Sequence, residues 1–76
     1  MNDALTEQVF DTIRTMERER EQAHRAPILV LYRDLYGRVG RVGIDENTLK
    51  KALRGLFDAK RIVVGPTLND WYIRTK

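Results

Sequence analysis

One amphipathic stretch, residues 44–60, constrains the fold of this chain more than any other segment. Its sequence is IDENTLKKALRGLFDAK, and its apolar residues recur at offsets 0, 3, 4, 7 and 8, as on the buried face of a helix. That face consists of Leu49, Ala52, Leu53, Leu56 and Phe57. Asp45 can cap the first turn, and Ile44 precedes Leu49 at the spacing of a hydrophobic staple. We therefore predict a helix over residues 45–60.

The opposite side of this predicted helix is basic. It carries Asn47, Lys50, Lys51, Arg54 and Asp58, with Gly55 beside them. Directly afterwards, residues 61–64 and 71–74 alternate as the strands of a hairpin, and residues 65–70 are rich in turn formers. We expect Ile62 to share one face with Val64, and Trp71 with Ile73. A basic helix followed by a hairpin indicates a binding function.

A first helix is predicted over residues 3–22, where apolar positions follow the same period. Those positions are Leu5, Val9, Phe10, Ile13 and Met16. Asn2 or Asp3 can cap its start. After Met16 the run ERERE contains no apolar side chain, so we expect exposed last turns. Oppositely charged residues can pair there, namely Glu17 with Arg20 and Arg18 with Glu21.

Residues 27–36, PILVLYRDLY, fit either a strand or a helix. The apolar run 28–32 alone is typical of a buried strand. One helical face, however, collects Ile28, Leu31, Tyr32 and Leu35. Pro27 suits a first helical position, and Gly37 suits a helix end. We predict a second helix over residues 27–36, with the joint to the first at residues 25–27.

The segment 37–43, GRVGRVG, is predicted to be a turn, because its three glycines disfavour a continued helix. It matches neither the G-x-G-x-x-G fingerprint nor a Walker loop, so nucleotide binding is not indicated. Residues 37–40 match the short GXXG loop by which KH domains clamp nucleotides. The alternative is a plain connection that exposes Arg38 and Arg41.

Length and charge set further limits. The chain has 76 residues and no Cys, so we expect one small domain over residues 1–76 without disulfides. Residues 1–24 hold six acidic and three basic side chains, a net charge of −3, whereas residues 25–76 hold eleven basic and five acidic ones, a net charge of +6. This asymmetry favours a polyanionic partner. Solubilising surface charge is the alternative interpretation.

Several function classes find little support in the sequence. The chain contains neither Ser nor Cys, which removes the commonest nucleophiles, so we expect no enzyme. His24 is the only histidine, so we predict a polar linker residue there and expect no metal or other cofactor. No apolar run approaches the roughly 20 residues of a membrane span. Because the segment MNDALTEQVF also lacks signal-peptide features, we expect a cytoplasmic location.

The order helix, joint, helix, turn, basic helix and hairpin resembles a winged helix-turn-helix domain of the bacterial regulator type. The likeness is carried by residues 48–56, TLKKALRGL, and 61–64, RIVV, which resemble a recognition helix and a first wing strand. It covers residues 4–74 as architecture and 44–74 as motif. Two departures are the long Gly-rich link before the third helix and Lys60, where such proteins often have glycine. The resemblance implies a mainly α fold of the α+β class, with three helices followed by a two-stranded wing.

The winged-helix resemblance also implies a small DNA-binding protein, a transcriptional regulator or DNA-associated accessory factor, with its third helix in the major groove. The residues that it places towards the bases are Asn47, Lys50, Lys51 and Arg54. Lys60, Arg61 and the 65–70 loop would lie near phosphates, and we expect Arg38 and Arg41, which flank the helix, to join that surface. Arg and Lys bind guanine edges or phosphates, and Asn binds adenine.

Other interpretations stay open. The same fold serves many roles, so a protein-interaction module without nucleic-acid binding is the main alternative, followed by RNA binding. Trp71 and Tyr72 can stack on bases, but we expect Trp71 to pack on the helices. Gly55 either permits close backbone approach or is a tolerated surface glycine. A homodimer through the N-terminal helix is the alternative to exposed last turns of that helix, whereas no small-molecule ligand is indicated.

Overall fold

The computed structural model describes residues 4–23 and 29–76. In chain order its elements are α1 (Ala4–Gln22), β1 (Val30–Leu31), α2 (Tyr32–Gly40), α3 (Glu46–Asp58), β2 (Ile62–Pro66) and β3 (Trp71–Thr75). The described chain is α+β, as predicted: its three helices accompany one antiparallel sheet in the order β1-β3-β2. This arrangement is compatible with the coarse layout of a winged helix. The caps predicted at residues 2–3, the joint at residues 25–27 and His24 lie outside the described residues.

The central strand of the sheet is β3, which pairs with both neighbours. Ile73 lies opposite Val30 on β1 and opposite Val64 on β2, and the side chain of Ile73 is buried. The predicted hairpin is thereby confirmed, but the two-stranded wing becomes part of a three-stranded sheet. Gly65 is paired with Tyr72, and a Cβ atom at residue 65 would collide with the tyrosine ring. Any larger residue at position 65 would therefore require the Tyr72 ring to move.

Helix α1 buries its apolar stripe and fixes its charged end to neighbouring elements. The buried members are Val9, Ile13 and Met16. Glu17 accepts hydrogen bonds from the backbone N–H and the hydroxyl of Thr75 on β3, and Arg20 pairs with Asp34 on α2 at 2.8 Å. The predicted Glu17–Arg20 pair is therefore wrong, because both side chains have partners on other elements.

Helix α3 begins as the sequence predicts. The Oδ1 atom of Asp45 accepts a hydrogen bond from the backbone N–H of Thr48 at 2.8 Å, which satisfies a free donor of the first turn. The buried residues are Leu49, Ala52 and Leu56. Two residues that we assigned to the core lie outside it, since Leu53 is half-buried and Phe57 is exposed. The buried face is narrower than predicted because both side chains line an open groove beside the sheet.

The segment predicted as a helix over residues 27–36 divides into a strand and a helix. Val30–Leu31 form β1, and α2 begins only at Tyr32. Two non-local contacts explain the difference. Strand β1 pairs with β3, and Asp70, in the β2–β3 loop, accepts a hydrogen bond from the backbone N–H of Arg33 at 3.2 Å. Asp70 thus caps α2 from a distant part of the chain.

Helix α2 runs past its predicted end and closes in a Schellman motif. The N–H of Gly43 donates to the carbonyl of Gly40, and the N–H of Ile44 to the carbonyl of Val39, both at 3.2 Å. Gly43 has a φ of +87°, which glycine adopts without strain. Residues 37–40 are the last turn of the helix, so the GXXG-loop interpretation is wrong. The link to α3 is correspondingly shorter than the sequence indicated.

Helix α3 ends at Asp58, before its predicted end, in the same motif. The N–H of Lys60 donates to the carbonyl of Phe57 at 3.0 Å, and the N–H of Arg61 to the carbonyl of Leu56 at 2.9 Å. The left-handed residue here is Lys60, with a φ of +61°. A side chain with a Cβ atom costs about 1–2 kcal/mol in that conformation. The lysine therefore stands where the turn favours glycine.

We expect Lys60→Gly to raise the free energy of unfolding by about 1 kcal/mol, because glycine relieves the left-handed strain. Gly43→Ala is the matched opposite change and should lower it by about the same amount. No atom lies within 4 Å of a Cβ added at residue 43, so backbone strain alone acts there. Urea titration followed by circular dichroism measures both variants. A less stable Lys60→Gly variant would contradict the assigned strain.

Candidate functional site

The outward side of α3 carries the four residues predicted to face DNA bases. We define the α3 basic face as Asn47, Lys50, Lys51 and Arg54, all of which are exposed. Their spacing forms one stripe along the helix, opposite the buried residues that fix α3 in the core. Among the described residues, neither Lys50 nor Arg54 makes an ion pair. Their positive charge is therefore available to a partner molecule.

Two other predicted DNA-binding residues are held by acidic residues of α1. Arg38 donates two hydrogen bonds to the carboxylate of Glu19 at 2.6 and 2.8 Å. Arg61 donates to Glu7 at 2.7 and 3.3 Å, and its guanidinium carbon lies 4.1 Å from the centroid of the Phe10 ring. These side-chain hydrogen bonds lower the pKa of both carboxyl groups and raise the pKa of both guanidinium groups. Each cation is thus matched by an anion within the chain.

The last two predicted cations, Arg41 and Lys60, are exposed. Arg41 and Arg38 border a depression that also contains Glu7 and Asp11 of α1. Lys60 lies in the turn between α3 and β2. The candidates on α3 are thus followed along the chain by Lys60, whereas Arg38 and Arg61 pair with carboxylates of α1 and Arg41 borders the depression beside that helix.

An open groove lies between α3 and the sheet, and we call it the α3–sheet groove. It has a volume of about 530 Å³ and is lined by Tyr32, Glu46, Lys50, Leu53, Arg54, Phe57, Val64, Trp71 and Ile73. Two aromatic side chains are largely uncovered, since Phe57 is 52% and Trp71 is 54% exposed. Trp71 lines the groove together with residues of α3, but it does not join the buried core. Two members of the α3 basic face, Lys50 and Arg54, border the groove as well.

A tyrosine–carboxylate hydrogen bond links the starts of α2 and α3 within the groove. The hydroxyl of Tyr32 donates to Oε2 of Glu46 at 3.2 Å. Burial, together with this hydrogen bond, raises the pKa of Tyr32 to about 12. The ring also stacks on Tyr36, with centroids 6.3 Å apart. The one carboxylate among the lining residues is therefore engaged, whereas the two lining cations have no carboxylate partner in the described chain.

The sequence pattern predicts Phe57 on the buried face of α3 and Trp71 packed on the helices, whereas both side chains line the open groove. A signal for their exposure is present in the helical positions of α3. Leu53 and Phe57 lie at the margin of the apolar arc that adjoins Lys50 and Arg54, whereas Leu49 and its buried neighbours occupy the centre. A residue at that margin can face a surface groove as readily as the core.

Within residues 4–23 and 29–76, no group of three His, Asp or Glu side chains is arranged to hold a metal ion. In the same residues no helix is both long and apolar enough to span a membrane. Comparisons with protein-family models, with curated proteins and with solved structures found no match to this chain. Function is therefore inferred from the geometry of α3 and its surroundings.

We expect the free energy of unfolding to fall in acid, below the ordinary glutamate pKa of 4.5. Because Arg61 and Arg38 lower the folded-state pKa of Glu7 and Glu19, the stabilisation is complete above that pH. It is lost as the pH falls through the lowered values. The Arg38–Glu19 pair is exposed and the Arg61–Glu7 pair is half-buried at the surface, so solvent screening keeps the effect small. Urea titrations at several pH values should show a flatter acid dependence for Glu7→Gln/Glu19→Gln.

The matched control for the acid prediction is Glu21→Gln. Glu21 is exposed on α1 and makes no ion pair with a described residue, so its replacement should leave the acid profile unchanged. If the double variant kept the full acid dependence of the parent chain, the two ion pairs would not be its cause.

Proposed function

We propose that this chain is a small DNA-binding protein, a transcriptional regulator or DNA-associated accessory factor built on a winged-helix layout. In this proposal α3 enters the major groove of duplex DNA. The observation that carries it is the α3 basic face: four exposed side chains follow one helix, and its Lys50 and Arg54 make no ion pair with the described chain. The phosphates of a nucleic acid can pair with these unpaired cations.

The chemistry of the α3 basic face suits nucleic acid at two levels. Lys50, Lys51 and Arg54 can neutralise phosphates, and an arginine can also bind the O6 and N7 atoms of guanine. Asn47 can make the corresponding bidentate contact with adenine. Helix α3 has 13 residues and is about 20 Å long, and the major groove of B-DNA admits an α-helix.

The placement of acidic side chains supports the same proposal. Glu7 and Glu19 neutralise Arg61 and Arg38, so these carboxylates are occupied away from α3. Asp70, the acidic residue of the β2–β3 loop, is bonded to the backbone N–H of Arg33 on α2. The carboxylates of Glu7 and Glu19 are thus paired with arginines of the same chain, whereas α3 carries Glu46 and Asp58 at its two ends beside the three cations of its basic face.

Replacing Lys50, Lys51 and Arg54 together by Gln should weaken binding to duplex DNA. The slope of log affinity against log salt should become shallower by roughly two to three units, because each phosphate contact contributes about −0.9. Gel shifts on random duplexes over a salt series measure both quantities. If Arg54 contacts a base edge, Arg54→Gln alone should reduce the free energy of DNA binding by about 1–3 kcal/mol and change the preferred DNA sequence. Stability should hardly change, since the residues are exposed.

A charge-matched control separates the α3 basic face from net charge. Arg18, Arg33 and Arg74 are exposed, and their guanidinium groups make no ion pair among the described residues. Replacing them by Gln removes the same three charges and should leave most of the slope intact. If both triple variants lost the same affinity for DNA, binding would be due to general charge attraction and not to the α3 basic face. Absence of binding by the parent chain at low salt would refute the proposal.

The second candidate function is a protein-interaction module without nucleic-acid binding. The exposed aromatics Phe57 and Trp71 in the α3–sheet groove favour it, and it becomes the leading proposal if duplex binding fails. The homodimer through α1 stays a prediction. Because the apolar stripe of α1 is buried in its own chain, such a dimer would have to use polar side chains of that helix. Neither candidate function assigns catalysis to the chain.

A further inference from the structure

The α3–sheet groove is apolar at its centre and open to solvent. Leu53 is half-buried, and Phe57 and Trp71 are 52% and 54% exposed. Helix α3 packs on α1, α2 and β2, whereas its backbone lies farther from that of the described β3. The groove is the space that this arrangement leaves beside β3. Clustered exposed apolar side chains with a polar rim mark an interaction site on a soluble domain.

The rim of the α3–sheet groove carries two cations and one carboxylate. Lys50 and Arg54 are one helical turn apart, and neither pairs with a carboxylate among the described residues. The carboxylate of Glu46 accepts a hydrogen bond from Tyr32 at 3.2 Å. An occupant that complements this groove therefore offers apolar side chains to the centre and anions to the two cations of the rim.

We propose that the α3–sheet groove binds an acidic, amphipathic peptide segment of a partner protein. Its apolar side chains would pack on Leu53, Phe57 and Trp71, and its Asp or Glu residues would pair with Lys50 and Arg54. A volume of about 530 Å³ lies within the roughly 300–1,000 Å³ of small binding sites. Peptides with this pattern bind grooves through a few apolar anchors on one face.

Two other occupants satisfy only part of this chemistry. A nucleic-acid backbone supplies anions, but it leaves the half-buried Leu53 and the exposed Phe57 without an apolar partner. A second copy of the chain, joined by a symmetric contact through the groove, presents the same two cations and one carboxylate, so an excess of positive charge meets an excess of positive charge. Such like-charge contacts oppose association. A separate acidic segment satisfies both the centre and the rim.

The test is a selection of displayed random-sequence peptides on the immobilised full chain. We expect the enriched peptides to combine Asp or Glu with apolar residues at regular spacing. Synthetic copies should shift the fluorescence of Trp71 to shorter wavelengths as they cover its ring, and Trp71 is the only tryptophan of the chain. Changing the acidic residues of a selected peptide to Lys should abolish this shift.

Variants of the chain locate the binding. Phe57→Ser should raise the Kd of the selected peptides by about tenfold or more. The double variant Lys50→Glu/Arg54→Glu should have the same effect. The Lys-substituted peptide should regain affinity for that charge-reversed variant. Leu68→Ser is the matched control, because Leu68 is 96% exposed and does not line the groove. Circular dichroism checks that each variant is folded.

The proposal would be overturned if no acidic peptides were enriched, or if the selected peptides bound folded Phe57→Ser as tightly as the parent chain. A Trp71 fluorescence shift that depended on the concentration of the free chain would assign the groove to a second copy instead. A Trp71 shift on duplex DNA that was lost in Phe57→Ser would assign the groove to nucleic acid. The peptide test is independent of the proposed DNA binding, since Phe57 is not part of the α3 basic face.

Discussion

Strand β3 is the element on which the rest of the structure depends. Its Ile73 is paired with strands on both sides, so the short β1 exists only because β3 provides its partner. Thr75, at the end of β3, is bonded to Glu17 of α1. Asp70, directly before β3, caps α2. One strand thus orients two helices, and α3 completes the core by packing on α1, α2 and β2.

The parts of the fold that sequence predicts well are those with local causes. The start of α3 follows from Asp45 and the first buried turn, and the hairpin follows from alternation on both sides of a turn. The segment around Val30–Leu31 could not be predicted in this way, because its pairing partner lies in β3 and the cap of α2 is Asp70. The end of α2 at Gly43 uses glycine, whereas the end of α3 uses Lys60, so glycine alone does not identify helix ends.

The candidate site shows a similar division. The stripe formed by Lys50, Lys51 and Arg54 is a property of one helix, and sequence periodicity was sufficient to predict its exposure. The neutralisation of Arg61 by Glu7 joins residues 54 positions apart, so a count of charges could not reveal it. Long-range pairing removes Arg38 and Arg61 from the unmatched cations of the basic part of the chain, whereas Lys50, Lys51 and Arg54 on α3 make no ion pair among the described residues.

The two proposed partners meet on the same side chains, which has a thermodynamic consequence. Lys50 and Arg54 belong to the α3 basic face and also border the α3–sheet groove. An acidic peptide that neutralised them would remove charge from the surface proposed for DNA, so each partner would lower the affinity for the other by the same factor. The peptide would also bury Phe57 and Trp71, which the small core leaves uncovered, and binding to the folded state alone raises its stability. If both partners bind, the groove would therefore couple binding of the peptide to release of DNA.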